Sequence, residues 1–110
     1  MRRGEIWTAA AGSGYAGESR PVVIVQDDRF DATDSITVCA FTTDPTEAPL
    51  VRQPIVSNEL NGLQQKSCLM IDKLITVPRS KLGMRIGQLA DEDMVRMGRA
   101  MFVFLGLAGA

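Results

Sequence analysis

The stretch Arg20-Pro21-Val22-Val23-Ile24-Val25 is the clearest fold signal in this chain of 110 residues. Four consecutive β-branched residues favour a strand that is buried on both faces, because a half-exposed strand would alternate apolar and polar residues. The proline keeps Arg20 in an extended conformation and marks the start of the strand. The stretch therefore predicts a sheet with apolar packing on each side.

Shorter strand patterns surround this stretch, and the connections between them are rich in glycine, proline, aspartate and asparagine. Pro54 demotes one of the predicted strands to an edge of the sheet. Short connections favour antiparallel pairing, so we expect a mainly β (β-rich α+β) chain, a small curled sheet or barrel closed by a C-terminal helix. The other predicted strands cover residues 5–8, 36–43, 50–56, 67–77 and 85–89.

The last part of the chain has helical periodicity from about residue 91 to residue 107. Asp91 is predicted as the N-cap, and the helix is expected to end or fray near Gly109. One apolar stripe recurs at spacings of three and four residues, which favours packing in the core or against a second copy. The stripe consists of Met94, Met97, Met101, Phe104 and Leu105.

Charge and composition exclude several classes of function. Lysine and arginine total 12 against 13 acidic residues, so the chain is not a polycation that coats nucleic acid by charge alone. The basic residues are nevertheless concentrated: residues 51–85 carry six of them against two acidic ones, which permits either a positive face or ordinary charge mixing. The chain has no histidine, which excludes histidine zinc sites, Ser–His–Asp triads and two-histidine RNA cleavage.

The remaining predictions from composition concern domain organisation and location. No linker divides the chain, so residues 1–110 are predicted as a single domain. Cys39 and Cys68 lie inside strand patterns and are expected to be buried free thiols. With no signal-peptide pattern and no apolar run of membrane-spanning length, we expect a cytoplasmic protein without a membrane partner, metal or cofactor.

Several motifs together resemble one family. The start Arg3-Gly4-Glu5-Ile6-Trp7, a glycine-rich loop and the Arg-Pro-Val strand resemble the opening of MazF/PemK-type toxins of bacterial toxin–antitoxin pairs. The resemblance continues through Glu59-Leu60-Asn61-Gly62-Leu63 and residues 67–81 to the C-terminal helix, so that it covers nearly the whole chain.

This resemblance implies a fold, an activity and partners. The fold is an SH3-like small barrel of five to seven short strands with a C-terminal α-helix, forming a homodimer. The activity is sequence-specific, metal-independent cleavage of single-stranded RNA by the ribose 2′-hydroxyl, leaving 2′,3′-cyclic phosphate and 5′-hydroxyl ends. A cognate MazE-like antitoxin is expected to inhibit it by covering the RNA groove.

The resemblance also assigns catalytic residues. Arg20 and Thr42 match the arginine and threonine that family members use. The planar fork of Arg20 suits charge stabilisation on the phosphoryl oxygens, and Thr42 would hold the phosphate in line. The loop carboxylate of some members is replaced by Gly14, which leaves Glu18 as the candidate base.

The remaining candidates would bind RNA, by stacking on Tyr15 or Phe41 and by polar contacts to base edges. Asp72 and Lys73 interrupt an apolar strand, and either a groove-facing pair that binds RNA or a structural pair explains them. Likewise, Arg20 taken without the resemblance is equally a surface residue bound to a carboxylate such as Asp72. The full set of RNA-binding candidates is Ser13, Tyr15, Gly17, Ser19, Gln26, Phe41, Asp72 and Lys73.

Two other functions stay open at this point. The missing loop carboxylate permits a non-catalytic toxin on the same scaffold, either similar to the gyrase-poison toxins or a binder that titrates antitoxins. A structural module that binds peptides is a third reading, against which the 5% aromatic content argues.

Overall fold

The computed structural model describes residues 1–10 and 19–109. In this part of the chain six strands precede one C-terminal helix, and the predicted strands are confirmed within a few residues at their ends. Two single 3₁₀ turns, Asp28–Phe30 and Arg79–Lys81, connect strands. The strands and the helix are β1 (Glu5–Ala10), β2 (Ser19–Ile24), β3 (Ser35–Thr42), β4 (Arg52–Ile55), β5 (Ser67–Pro78), β6 (Leu82–Gln88) and α1 (Asp91–Phe104).

All strand pairs of the sheet are antiparallel, and the spatial order is β4-β5-β3-β2-β1-β6. The predicted edge position of the strand that contains Pro54 is confirmed, because β4 lies at one end of this order. The two edge strands, β4 and β6, do not pair with each other, so the sheet is open and not a closed barrel. It curls nonetheless, because the turn that follows β4 contacts the opposite edge: the backbone N–H of Gln88 on β6 donates to the carbonyl of Leu60 at 3.0 Å.

That turn is held by one buried asparagine. The side-chain oxygen of Asn61 accepts from the backbone N–H groups of Asn58 (3.1 Å) and Leu63 (3.0 Å). Its amide donates to the carbonyl of Val56 at 2.9 Å. A buried side chain with its polar atoms satisfied in this way makes a rigid turn, which brings the two sheet edges together.

The central strands are buried on both faces, as the sequence predicts. Val23 of β2 belongs to the main core, whereas Val22 and Ile24 belong to a second, smaller core on the other face of the sheet. The main core includes Ile6, Cys39, Phe41, Ile55, Leu69, Ile71 and Met97, and the second core includes Ile36, Val38 and Leu82.

The helix packs on the main core through the side of it that carries Met94, Met97 and Met101. Met97 is fully buried, and Met94 and Met101 are partly buried beside it. The other two members of the predicted stripe are exposed: Phe104 by 45% and Leu105 by 55%. Core packing therefore holds for the three methionines only, because periodicity marks an apolar face without showing how far along it the sheet extends. Packing against a second copy stays a prediction for Phe104 and Leu105.

Both helix ends differ from the prediction. Ala90, not Asp91, occupies the N-cap, and the acidic residues 91–93 form the first turn, where the helix dipole favours them. The C-terminal stop is Gly106, at φ 75°, rather than Gly109. The N–H of Gly106 donates to Val103 (3.0 Å) and that of Leu107 donates to Phe102 (2.9 Å), which is the Schellman pattern.

Gly62→Ala should destabilise the fold more than Gly106→Ala. Both glycines have positive φ, 67° and 75°, which costs an alanine about 1–2 kcal/mol. A Cβ at Gly62 would also overlap the carbonyl oxygen of Ile86 and lie 2.9 Å from its carbonyl carbon, whereas a Cβ at Gly106 has open space. We expect a loss of about 2–4 kcal/mol for Gly62→Ala, measured as a shift in urea unfolding at one protein concentration. Equal losses in the two variants would show that the close contact between the sheet edges contributes nothing.

Candidate functional site

Arg20 and Thr42 lie at the same end of neighbouring strands. The β2–β3 ladder pairs Ile24 with Val38 and Val22 with Ala40. Continued by two residues, this register sets Arg20 opposite Thr42, and directly opposite residues share one face of a sheet. Arg20 is exposed and Thr42 is half-buried. Both residues thus belong to the face of the sheet that carries the second core, just beyond its last apolar pair, Val22 and Ala40.

The hydroxyl of Thr42 is held in place by the turn that follows β3. The backbone N–H of Asp44 donates to Thr42 Oγ1 at 3.1 Å. Because this bond uses the oxygen as an acceptor, the hydroxyl proton stays available for donation to another group. The arrangement therefore presents Thr42 as a fixed hydrogen-bond donor.

The turn itself is stabilised by the carboxylate of Asp44. Its Oδ1 accepts from the backbone N–H (2.9 Å) and the hydroxyl (2.7 Å) of Thr46. These hydrogen bonds lower the pKa of Asp44 below its ordinary value, since they favour the charged form. Asp44 is therefore an anion at neutral pH, and it lies two residues from Thr42.

A cavity of about 640 Å³ opens beside Thr42. The segment 42–49 forms one side of it, and the start of β5, part of β4 and the middle of α1 form the rest. Cys68, which pairs with Thr42 in the β3–β5 ladder, is also in the lining. The charged residues of the lining are Asp44, Glu47, Arg52, Lys66 and Arg96.

Arg52 and Asp72 form an ion pair between β4 and β5. The side chains are 18% and 29% exposed, and Arg52 Nη1 also donates to the carbonyl of Val51 at 3.0 Å. Of the two explanations for Asp72, these contacts support the structural pair, although its partner is Arg52 and not the neighbouring Lys73. Lys73 is exposed.

Three other RNA-binding candidates differ in position. Ser19 is exposed and adjoins Arg20, opposite Ala10 of β1. Gln26 lies beyond the other end of β2, where its amide donates to the Phe30 carbonyl (3.0 Å) and accepts from the Thr37 N–H (2.8 Å). Both polar atoms of Gln26 thus serve the fold.

Phe41 is 4% exposed and belongs to the main core, so its ring is covered by protein. The alternation of β3 explains this: Thr42 and Phe41 point to opposite faces, and the sequence did not show which face would be open. The predictions for Ser13, Tyr15, Gly17 and Glu18 lie outside the described residues.

Sequence reasoning missed the cationic wall of the cavity. Lys66 is one of the six basic residues of the segment 51–85, and neither Lys66 nor Arg96 was predicted at a site. Asp44 carried a usable signal, because a Thr-x-Asp-x-Thr pattern after a strand favours side-chain-capped turns. For Arg96 the sequence offered no signal, because only the packing of α1 brings it to the same cavity as Lys66.

Within residues 1–10 and 19–109, no group of three or more His, Cys, Asp or Glu side chains is arranged to hold a metal ion. The same part of the chain contains no helix with the length and apolarity needed to cross a bilayer.

The fold is that of known toxins. An endoribonuclease from a mycobacterial species, solved in complex with its cognate antitoxin, superimposes with a TM-score of 0.78 at 21% identity, covering 100% of this chain and 99% of that one. The MazE–MazF crystal structure (Form II) from Deinococcus radiodurans gives a TM-score of 0.79 at 13% identity, covering 98% and 97%. At these identities the likeness shows the fold, a small curled antiparallel sheet with a C-terminal helix.

Sequence comparison identifies the family. Residues 2–105 match the model of the PemK-like, MazF-like toxins of type II toxin–antitoxin systems. A relative from Mycolicibacterium smegmatis, named probable endoribonuclease MazF, is 60% identical over 109 residues, which are 99% of this chain and 100% of the relative. The endoribonuclease EndoA of Bacillus subtilis is 27% identical over 97% of this chain and 96% of its own length. The chain belongs to the PemK/MazF toxin family and is a toxin of a type II toxin–antitoxin system, which confirms the resemblance.

The two cysteines should differ in reactivity, and Cys68 reports on the cavity. Burial raises the pKa of the Cys39 thiol to about 12, so almost no thiolate forms near neutral pH, whereas Cys68 is half-buried in the cavity lining. We expect iodoacetamide to add one carbamidomethyl group to the native protein, at Cys68, and two to the urea-unfolded protein, measured by mass spectrometry. Native Cys68→Ser should take up none. A label on Cys39 in the native protein would contradict the burial of β3.

Proposed function

We propose that this toxin is a sequence-specific endoribonuclease that cleaves single-stranded RNA without a metal ion, with Arg20 and Thr42 at its active site. The observation that carries the proposal is the β2–β3 register, whose last pair is Val22 with Ala40. Continued by two residues, it brings Arg20 opposite Thr42. The names of the relatives, endoribonuclease MazF and endoribonuclease EndoA, support the same activity.

The proposed reaction is an attack by a ribose 2′-hydroxyl on the adjacent phosphorus. The bond from the 2′-oxygen to phosphorus forms, the bond from phosphorus to the 5′-oxygen breaks, and the departing oxygen takes a proton. The products carry a 2′,3′-cyclic phosphate, or its opened form, and a 5′-hydroxyl. A base must remove the proton of the 2′-hydroxyl, and negative charge on the phosphoryl oxygens must be stabilised.

The residues divide these tasks. An arginine remains protonated near neutral pH, and its two parallel donors match two phosphoryl oxygens, so Arg20 stabilises the charge. Thr42 donates to the same phosphate from a hydroxyl that the Asp44 N–H already orients. Glu18 remains the proposed base. Asp44 is a poorer candidate for that role, because its lowered pKa makes it a weaker base.

The proposed partners are RNA, a MazE-like antitoxin and a second copy of this chain. The mycobacterial structure holds the toxin with its cognate antitoxin, and the Deinococcus structure is a MazE–MazF complex. In this proposal the antitoxin covers the RNA groove, and residues 1–110 act as one toxin domain in the cytoplasm.

The helix supplies a surface for the second copy. Its methionine face packs in the core of its own chain, as one of the two readings predicted. The large apolar side chains of its exposed side are Val95, Phe102, Val103 and Leu105, each at least half exposed. An exposed apolar patch of this kind is typical of protein–protein interfaces.

Arg20→Ala should abolish most RNA cleavage while leaving the fold intact. Removing one charge-stabilising donor costs about 10²–10³ in rate. The assay incubates purified protein with a mixed pool of single-stranded RNA in EDTA and maps the ends, with 5′-hydroxyl ends expected for the wild type. Thr42→Ala should also be slow, and Thr42→Ser should restore part of the rate because it keeps the hydroxyl.

Arg29 offers the matched control. It is an exposed arginine that pairs with Asp27 near the other end of β2, so Arg29→Ala should cleave like the wild type. If the wild type leaves diverse RNA intact, and growth inhibition is unchanged in Arg20→Ala, the toxin acts as a non-catalytic binder instead.

Sedimentation should show a dimer. We expect a mass of twice the 11.9 kDa of one chain at micromolar concentration, because the exposed apolar side chains of α1 gain by leaving water. A single species of 11.9 kDa across the concentration range would be evidence against the homodimer.

A further inference from the structure

The cavity beside Thr42 has the size of a binding subsite. Its volume of about 640 Å³ lies in the range of about 300–1,000 Å³ that is usual for small-molecule and nucleotide sites. Thr42 itself is part of the lining. A strand of RNA whose cleaved phosphate contacts Thr42 would therefore continue directly into the cavity on one side of the cleaved bond.

The cations of the cavity are not equivalent. Arg52 is half-buried and neutralised by Asp72. Lys66 and Arg96 are exposed, and no carboxylate of the described residues forms an ion pair with either of them. These two side chains come from different elements, the residue before β5 and the second turn of α1, and the fold brings both to the same cavity.

The carboxylates lie on the other part of the lining. Asp44 and Glu47 both belong to the segment that follows β3. Because the lowered pKa of Asp44 keeps it ionised, this segment repels phosphate. A polyanion in the cavity is thus directed away from the segment and toward Lys66 and Arg96.

We infer that the cavity is a subsite for the RNA strand on one side of the cleaved bond, in which Lys66 and Arg96 contact backbone phosphates. The inference rests on the proposed ribonuclease function, because it takes Thr42 as the point where the cleaved phosphate binds. Contacts of this kind add affinity without reading the base sequence.

The salt dependence of RNA binding tests the inference. The RNA is a fluorescently labelled oligonucleotide with the cleavage site mapped above, carrying 2′-deoxyribose at the cleaved position so that it binds uncut. Each phosphate contact to single-stranded RNA contributes about 0.7 to the slope of log K against log salt concentration. Fluorescence anisotropy at several salt concentrations gives this slope for each variant.

Lys66→Ala and Arg96→Ala should each reduce the slope by about 0.7 and weaken binding about fivefold at about 0.1 M salt. The double variant Lys66→Ala/Arg96→Ala should reduce the slope of log K against log salt concentration by about twice as much. Arg96→Lys should keep the slope, since a point charge suffices for a phosphate contact. Cleavage is measured on the same RNA with the 2′-hydroxyl present. There the single variants should raise KM and leave kcat unchanged.

Arg29→Ala is again the matched control. Arg29 is an exposed arginine that pairs with Asp27 near the other end of β2, outside the cavity lining. Arg29→Ala should leave the salt slope and the cleavage rate unchanged. If Arg96→Ala and Lys66→Ala behave like Arg29→Ala while the wild type cleaves RNA, the subsite is wrong and the ribonuclease proposal stands. If the wild type cleaves no RNA, the ribonuclease proposal itself fails.

Discussion

The burial of the β2–β3 ladder on both faces is the constraint on which the rest of the structure depends. Val23 and Cys39 pair on the side of the main core, and Val22 pairs with Ala40 on the side of the second core. A one-residue slip would turn every side chain of the slipped strand to the opposite face, so that residues fitted to the main core would enter the second core and the reverse. The register is therefore strongly determined, and so are the positions of the residues that follow it.

The candidate active site lies where this ladder changes from apolar to polar residues. Arg20 follows Val22, and Thr42 follows Ala40, on the same face and at the same end. Rigid neighbours hold the two strands, and the Asp44 N–H orients the threonine hydroxyl. A hydroxyl oriented in advance has little freedom left to lose, which is the condition under which a hydrogen-bond donor contributes most to a reaction.

The surroundings of the site depend on contacts between distant parts of the chain. The cavity needs the turn after β3, the start of β5 and the middle of α1 together. Its charge pattern arises in the same way, because the ion pair to Asp72 neutralises Arg52 and leaves Lys66 and Arg96 to face an anion. The lining then keeps two cations, Lys66 and Arg96, and two carboxylates, Asp44 and Glu47, which come from different elements of the fold.

The sequence by itself determined the strands, the edge position of the Pro54 strand, the helix and the pairing of Arg20 with Thr42 as candidates, since these follow from local patterns and from the family motifs. It could not determine which face of β3 stays open, so Phe41 was wrongly expected at the surface. Nor could it show that Gln26 serves the fold, that α1 leaves Phe104 exposed, or that Arg96 and Lys66 line one cavity. Those outcomes were decided by the tertiary structure, because burial and charge at a site are set by the elements that pack around it, and these come from far along the chain.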